Sequence, residues 1–360
     1  LKPLKKSYFQ SFSFPVNRFP NQAEVLQYGS ELKMGIDVLV DPASPSFRGK
    51  LTPKLISPEV ALNEEKLIVA LKEVLSNERF NAVALDLSTS NVDTLKLLNG
   101  FSNELAQFVP VIELTNAKFT WSVASEQLKF PIFQLKSENY TAESEFEVKL
   151  DAELVASYTS RNVIGYLPAA KKAKKTIVFS AHYDHLGRLG TKTYFPGAND
   201  NASGTATIIM LADYFKKHPI EDYNLLFIAF AGEEAGFFGS KHFVEHPLMK
   251  LNQMEFLINL DIMGSGEDGI TVVNGSVFEE QFNELVAINN EFGLLKQVKS
   301  RGKAANSDHY WFTEAGVPAF FIYTMGTNKH YHDVFDTYEE LTFAETMDIT
   351  TLLLKFVERL

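Results

Sequence analysis

The chain has 360 residues, of which 45% are hydrophobic and 22% are charged, so it can bury one large core or a core plus a smaller domain. Its formal net charge of −11, without a basic stripe, argues against a nucleic-acid partner, and no apolar run approaches the ~20 residues that a membrane span requires. The sequence contains no cysteine, so disulfides and thiolate ligands are excluded and any metal must be bound by His, Asp or Glu.

The first residue, Leu1, is not Met. Removal of an N-terminal signal peptide would explain this start, and so would trimming of the chain. On the first interpretation we expect a secreted or periplasmic protein.

The first half of the chain predicts short strands and two helices. Glu64–Ser76 has an amphipathic pattern, with Asn63 placed to cap it and two glutamates at the positive end of the helix dipole. A second helix is expected over residues 92–108. Strands are expected over residues 36–40, 81–86, 109–113, 130–135, 146–156 and 161–167.

From residue 176 onward, predicted strands alternate with predicted helices. The strands cover residues 176–180, 225–231, 256–260 and 317–323. The helices cover residues 202–217, 237–244, 279–292 and 342–356, and Thr342 and Glu345 are spaced as a capping box for the last of them. This alternation predicts an α/β fold in which a mixed, mainly parallel sheet is sandwiched between helices.

Polar side chains follow the predicted strands of the second half. They are His182, Asp184, Asp200, the pair Glu233 and Glu234, Asp261 and His332. Each alone would usually be a solvated or capping residue, but their coincidence at the ends of consecutive buried strands favours a shared site, because open α/β sheets bind ligands there. Carboxylates and imidazoles without sulfur form a ligand set that suits zinc.

Three of these side chains predict parts of a mechanism. Of the adjacent glutamates Glu233 and Glu234, one can bind metal while the other takes a proton from the attacking water. Asp184 lies two residues after His182, where its carboxylate can accept the second ring N–H of that histidine and fix its tautomer.

The motifs around these residues resemble the M28 family of zinc aminopeptidases, which includes bacterial leucyl aminopeptidases. The resemblance covers residues from about 158 to 360 and rests on HYDHLG, GANDNASG, AGEEAGFFGS, NLDIMG, NSDHYWF and HYHDVFDT. It implies two zinc ions per chain. One would be held by His182 and Asp261, the other by Glu234 and His332, with Asp200 between them.

The resemblance also implies roles for residues that do not bind zinc. Glu233 would be the general acid and base, and Tyr331 matches a tyrosine that stabilises the oxyanion in some members. Asp308 and Asp336 match further motif positions, where they either support the ligands or serve as a helix cap and a turn residue. Many members carry a β-rich protease-associated domain before the catalytic motifs. We therefore expect residues 1–36 and 148–360 to form the peptidase domain. Residues 37–147 are expected to form a smaller, β-rich inserted domain, either of this protease-associated kind or a diverged lid of another kind.

The implied function is that of a metal-dependent aminopeptidase. It would hydrolyse the N-terminal peptide bond of peptides with a free N-terminus, using water activated by two zinc ions. One alternative is a glutaminyl cyclase, an acyltransferase with a single zinc, but AGEEAGFFGS lacks the longer Trp-containing insertion of those enzymes and Tyr331 stands where they place a Trp. The other is a non-catalytic binding protein on a peptidase scaffold, although such proteins have usually lost ligands that are all present here.

Overall fold

The computed structural model describes residues 7–76, 79–89 and 91–360. Residues 1–6 of the expected peptidase domain, and residues 77–78 and 90 of the expected insertion, lie outside these ranges. In chain order the strands are β1 (Ser7–Arg18), β2 (Ala23–Gln27), β3 (Ser30–Glu31), β4 (Val38–Val40), β5 (Phe47–Leu51), β6 (Pro53–Ile56), β7 (Ala82–Asp86), β8 (Val111–Thr115), β9 (Ile132–Lys136), β10 (Phe146–Leu150), β11 (Glu153–Leu167), β12 (Lys175–His182), β13 (Gly187–Leu189), β14 (Thr193–Phe195), β15 (Tyr223–Phe230), β16 (Met254–Asp261), β17 (Gly269–Val273), β18 (Val298–Arg301) and β19 (Ala319–Met325). The helices are α1 (Pro58–Ala61), α2 (Glu64–Ser76), α3 (Val92–Leu97), α4 (Phe101–Leu105), α5 (Gly204–Lys217), α6 (Phe238–Glu245), α7 (Glu279–Phe292), α8 (His309–Glu314) and α9 (Thr346–Arg359).

The largest sheet has eight strands in the order β1-β11-β15-β12-β16-β19-β17-β18. Its four central strands, β15, β12, β16 and β19, run parallel to one another. The pairs β1–β11, β11–β15 and β17–β19 are antiparallel. The carboxyl ends of the central strands therefore meet at one edge of a mixed sheet, as the alternation of elements predicted.

Helices cover both faces of this sheet because successive side chains of a buried strand point to opposite sides. Ile177 and Phe179 of β12 pack on one side with buried residues of α5, α7 and α9. Val178 packs on the other side with Phe243 of α6 and Phe312 of α8. The predicted sandwich of a mixed sheet between helices is confirmed.

The segment 37–147 contains a sheet of its own. It has five strands in the order β4-β9-β8-β7-β6, with all pairs parallel except β4–β9. A four-stranded sheet, in the order β3-β2-β10-β5, contains β5 of this segment, β2 and β3 from before it, and β10, which crosses its end. Helices α1 to α4 also lie within the segment, so it is of mixed α/β type rather than purely β-rich.

Three local expectations were wrong. The helix expected over 92–108 is two short helices, because Gly100 between them has the left-handed φ of 79°. The strands expected over 146–156 and 161–167 are instead β10 and the long strand β11, divided at residues 151–152. Helix α9 begins at Thr346 without a capping box, because Glu345 has a positive φ and the Thr342 hydroxyl donates to Glu267.

None of the helices in the described part of the chain combines the length and apolar character that crossing a bilayer needs.

Candidate metal centre

The sheet register brings the first two predicted ligands together. His182 and Asp261 are the last residues of the parallel neighbours β12 and β16. Ser180 pairs with Asn259, so the residues two positions further along each strand lie side by side. His182 Nε2 is 3.4 Å from Asp261 Oδ2, and both side chains are buried.

Asp200 lies in an irregular turn, Ala198–Ser203, directly before α5, and its own backbone is not helical (φ −111°, ψ 90°). Asp336 holds this turn in place, since its carboxylate accepts the backbone N–H groups of Asn199 and Asp200 at 2.9–3.1 Å. The two oxygens of Asp200 face different histidines. Oδ1 is 3.3 Å from His182 Nε2 and Oδ2 is 3.1 Å from His332 Nε2.

The two glutamates leave β15 through a turn that begins at Gly232, whose φ is 70°. Their backbone N–H groups both donate, at 3.3 Å, to the carboxylate of Asp184. Their side chains then diverge. Glu233 Oε2 lies 4.0 Å from His182 Nε2, whereas Glu234 Oε2 lies 3.1 Å from His332 Nε2.

His332 occupies the loop after β19 and has a left-handed φ of 56°. Its Nδ1 lies 2.8 Å from the backbone carbonyl oxygen of Trp121. The backbone N–H of Trp121 in turn donates to the backbone carbonyl of His332 at 2.9 Å. The ring of Tyr331 stacks on the His332 ring with 3.8 Å between centroids, and 52% of Tyr331 is exposed.

These contacts divide the centre into two groups of side chains that share Asp200. The His182 half-site comprises His182, Asp261 and Glu233. The His332 half-site comprises His332, Glu234 and His185, whose Nδ1 is 2.7 Å from Glu234 Oε1. Among the described residues, Asp200 is thus the one member whose carboxylate contacts the imidazoles of both His182 and His332.

The buried charges of the centre shift its pKa values strongly. Burial raises the pKa of Glu233 well above its usual range. Burial alone would also raise the pKa of Asp200, but hydrogen bonds from His182 and His332 outweigh it and hold that pKa below its usual range. Burial alone would lower the pKa of His332, yet its hydrogen bonds to Asp200 and Glu234 raise it to about 10. The four carboxylates therefore attract positive charge at both imidazoles.

The side chains present fit a bound divalent metal. His182 and His332 each have Nδ1 beside a backbone carbonyl, so Nδ1 carries a hydrogen and Nε2 faces carboxylate oxygens. A positive charge must therefore lie between each Nε2 and these oxygens. In the metal-free centre it is the imidazolium proton that the raised pKa values of His182 and His332 retain, and a bound metal ion would replace it. Among the described residues, Asp261 Oδ1 and His185 Nε2 are buried without a hydrogen-bond partner, and ligand atoms of His182, Asp200 and Asp261 lie within 4.8 Å of one another.

Comparison with known proteins agrees with this geometry. The model of the family described as "Peptidase family M28" matches residues 162–357, more than half of the chain. The chain belongs to peptidase family M28. The match covers every residue of both half-sites and the shared Asp200.

Two relatives and one solved structure show how far the likeness extends. Aminopeptidase YwaD of Bacillus subtilis is 30% identical over 237 residues, which cover 62% of this chain and 50% of the relative. A probable zinc metalloprotease of Pyrenophora teres f. teres is 30% identical over 203 residues, covering 52% of this chain and 40% of the relative. The structure of BSAP, a zinc aminopeptidase from Bacillus subtilis, aligns with a TM-score of 0.70 and 21% identity over 98% of this chain and 84% of that chain.

The last likeness establishes the M28 aminopeptidase fold for nearly the whole chain, including the segment 37–147. The chain spans about half the length of the curated relatives it matches. Among these proteins, one relative is described as an aminopeptidase, another as a probable zinc metalloprotease, and the solved structure as a zinc aminopeptidase.

The structure brings all five predicted ligands and Glu233 into one cluster, but it places Asp184 differently from the prediction. Its carboxylate does not accept the second N–H of His182, because the backbone carbonyl of Asp184 lies nearer, at 3.0 Å against 3.9 Å for the carboxylate. The carboxylate instead fixes the backbone of the two glutamates. Asp184 is therefore a positioning residue for the glutamate turn.

Asp308 and Asp336 also have definite places. Asp336 lies in the His332 loop and orients the Asp200 turn, so it connects two segments that carry predicted ligands. Asp308 precedes α8 but makes no capping hydrogen bond, and burial raises its pKa to about 7.

Sequence reasoning missed two residues of the centre. His185 stands in the motif HYDHLG, three residues after His182, so a systematic search for imidazoles near the ligands would have found it. Trp121 lies 211 residues before His332 in a segment without a motif, and nothing in the sequence pattern indicates that its backbone orients a ligand.

Proposed function

We propose that the chain is a two-zinc aminopeptidase that removes the N-terminal residue from peptides with a free α-amine. The observation that carries this proposal is the position of Asp200. Its two carboxylate oxygens face two imidazoles, and each imidazole faces a further carboxylate at 3.4 Å or less. An imidazole beside each oxygen of Asp200 suits a carboxylate that is shared between two metal ions, and not a carboxylate that binds a single ion.

In the proposed arrangement, His182 and Asp261 hold one zinc ion, His332 and Glu234 hold the other, and Asp200 serves both. When bound, zinc supplies Lewis acidity that polarises a peptide carbonyl and makes water a stronger nucleophile near neutral pH. The free α-amine of a peptide would be held at the second of these metal positions and by nearby carboxylates.

Glu233 moves the proton in this proposal. Its backbone is fixed by Asp184, and its carboxylate points toward the His182 half-site without a close imidazole partner. Burial raises its pKa well above the usual value, which suits a group that accepts a proton from water and then delivers it to the leaving amine. Tyr331 lines the cavity beside the centre, and its hydroxyl is proposed to donate a hydrogen bond to the oxyanion.

We also propose that residues 37–147 form an inserted unit that completes the centre. Trp121 supplies the carbonyl that orients His332. Lys118 supports the same loop, because its ammonium group donates to the carbonyls of Lys329 and Tyr331 and pairs with Asp333 at 2.9 Å. The segment therefore stabilises the loop that carries a proposed ligand.

Metal content and product together test the proposed function. We expect about two zinc ions per chain after saturation, release of free amino acid from a panel of aminoacyl-4-nitroanilides, and loss of this release with a chelator. Peptides whose N-terminus is acetylated should resist cleavage, because they lack the α-ammonium group. One zinc with pyroglutamate formation from N-terminal glutamine would instead establish the cyclase, and bound zinc without turnover would establish a binding protein.

A further inference from the structure

A cavity of about 220 Å³ opens beside the His182 half-site. One part of its wall consists of the carboxylates and imidazoles of the centre. The rest is formed by Ile262, Arg301, Asn306, Phe321, Tyr323 and Tyr331. This volume is below the roughly 300–1,000 Å³ of pockets for drug-sized ligands, so the cavity suits one amino-acid side chain or the end of a short peptide.

Arg301 is exposed, but its side chain contributes to the wall of this cavity. It is the last residue of the edge strand β18, and its Cα partner in the neighbouring strand β17 is Val273. Its guanidinium donates to the hydroxyl of Tyr323 at 3.4 Å. Because Tyr323 belongs to β19, on the far side of β17, the arginine side chain crosses a strand toward the centre. Tyr323 is in turn the Cα partner of Asp261.

The charge of Arg301 is not neutralised by the protein. Within the residues that the structure describes, no carboxylate oxygen lies within 4.0 Å of its guanidinium, although carboxylates form part of the same cavity wall. A guanidinium is always charged, and its N–H groups form a planar fork that matches the two oxygens of a carboxylate. Arg301 is the one guanidinium or ammonium group among the described residues lining this cavity.

We propose that Arg301, with the Tyr323 hydroxyl and the Asn306 amide beside it, recognises a carboxylate of the substrate. The inference rests on the proposed aminopeptidase function and adds a substrate class to it. The carboxylate can come from an acidic side chain of the N-terminal residue or from the C-terminus of a dipeptide. Both place a negative charge a few bonds from the scissile bond, and the experiment below separates them.

The alternative role of Arg301 is a solvated charge that protects an edge strand from pairing with another chain. Such a charge needs no partner across β17 and no place in a cavity wall. The two roles differ in a measurable way. An edge charge does not discriminate between a carboxylate and a carboxamide on the substrate, whereas a carboxylate-binding arginine does.

Two pairs of nearly isosteric substrates test the proposal in the zinc-loaded protein. The first pair is the 4-nitroanilides of L-glutamate and L-glutamine, and the second is Leu-Gly and Leu-glycinamide. In the wild-type protein, the charged member of at least one pair should have a kcat/KM at least about tenfold higher, as expected for a charge-assisted hydrogen bond, and mainly through a lower KM. The pair that shows the preference identifies the source of the carboxylate.

Variants of Arg301 assign the preference to this side chain. In Arg301→Gln the ratio for that pair should fall to about one, and Arg301→Lys should retain part of it because the charge remains but the fork is lost. Lys299→Gln is the matched control. It removes one exposed positive charge from the same strand, outside the cavity lining, and should keep the wild-type ratio.

The outcomes separate this inference from the proposed function. Wild-type ratios of one or less for both pairs, or a ratio that persists in Arg301→Gln at unchanged zinc content, would overturn the carboxylate proposal while leaving the aminopeptidase intact. If the protein releases the N-terminal residue from none of the four substrates, the proposed function and this inference are both rejected. An equal loss of preference in Lys299→Gln would show that the positive charges of β18 attract the carboxylate non-specifically. That result would also refute a specific role of Arg301.

Discussion

The two half-sites contain similar side chains but are built in different ways. In the His182 half-site, the carbonyl that faces Nδ1 of His182 belongs to Asp184, two residues further along the chain. In the His332 half-site, the corresponding carbonyl belongs to Trp121, 211 residues away in the sequence. The first arrangement follows from one strand and its loop, whereas the second requires that residues 37–147 are folded against the catalytic sheet.

Because of this difference, changes in different parts of the chain should affect the two half-sites. The His182 half-site is anchored at the ends of two central strands, β12 and β16. The His332 half-site depends on a loop with a positive φ at its ligand and on contacts from Trp121 and Lys118. We therefore expect changes in the segment 37–147 to affect one predicted zinc ion and not the other.

The largest effect should come from the two adjacent glutamates, which divide between the half-sites. Glu233→Gln keeps the size of the side chain but cannot accept a proton at neutral pH, so kcat should fall by about 10²–10⁴ with zinc content unchanged. Glu234→Gln should instead reduce zinc content, because a neutral amide is a poorer ligand. Steady-state kinetics and elemental analysis of both variants measure the two effects. Zinc lost from Glu233→Gln and retained in Glu234→Gln would mean that the roles are reversed.

The second prediction tests whether Trp121 controls only the His332 half-site. Its indole N–H donates to the carbonyl of Val40 at 2.8 Å, and its ring stacks on Phe195 with centroids 4.7 Å apart. Trp121→Leu removes both contacts and loosens the carbonyl that orients His332. Groups that orient metal ligands typically contribute about 10–100-fold in affinity, so one of the two zinc ions should bind that much more weakly.

Competition with a chromophoric chelator, which resolves two dissociation constants, measures this effect. Trp311→Leu is the matched control, since Trp311 is the other tryptophan of the chain, packs on Tyr310 and Lys241, and does not line the cavity beside the centre. It should leave both constants near the wild-type values. Equal weakening of both zinc ions in Trp121→Leu would contradict the division into half-sites.

The same comparison explains what the sequence could predict. The strand β12, the place of His182 at its end and the helix α7 up to Gly293 follow from local patterns of apolar residues and from one glycine with a positive φ. The candidate ligands could be predicted as a group because each stands in a motif, and all except His332 lie within a few residues of a strand or helix end. The start of α9 and the contact of Trp121 with His332 could not, because tertiary hydrogen bonds from distant residues decide them.

The smallest effect should come from Glu267, which fastens the base of the His332 loop. Its carboxylate accepts the N–H groups of Gly266 and Thr327, at 3.2 and 3.3 Å, and the hydroxyl of Thr342. Burial alone would raise the pKa of Glu267, but these hydrogen bonds lower it from 4.5 to about 2. A pKa that is lower in the folded state stabilises the fold above the unfolded value, and this stabilisation is lost as the pH falls through about 4.5 toward 2.

Glu267→Gln in the metal-free protein should therefore lower Tm by on the order of 1–3 °C near pH 6, and the difference from wild type should shrink as the pH falls from about 4.5 to 2. Thr342→Val removes one donor to the same carboxylate without changing its volume much. Thr342→Val should lower Tm by part of this amount. The double variant should lower Tm by less than the sum of the two single decreases, because the two side chains share one interaction. Differential scanning calorimetry across this pH range measures all three differences. A Tm difference that stays constant with pH, or that grows in acid, would show that the charge of Glu267 does not stabilise the loop.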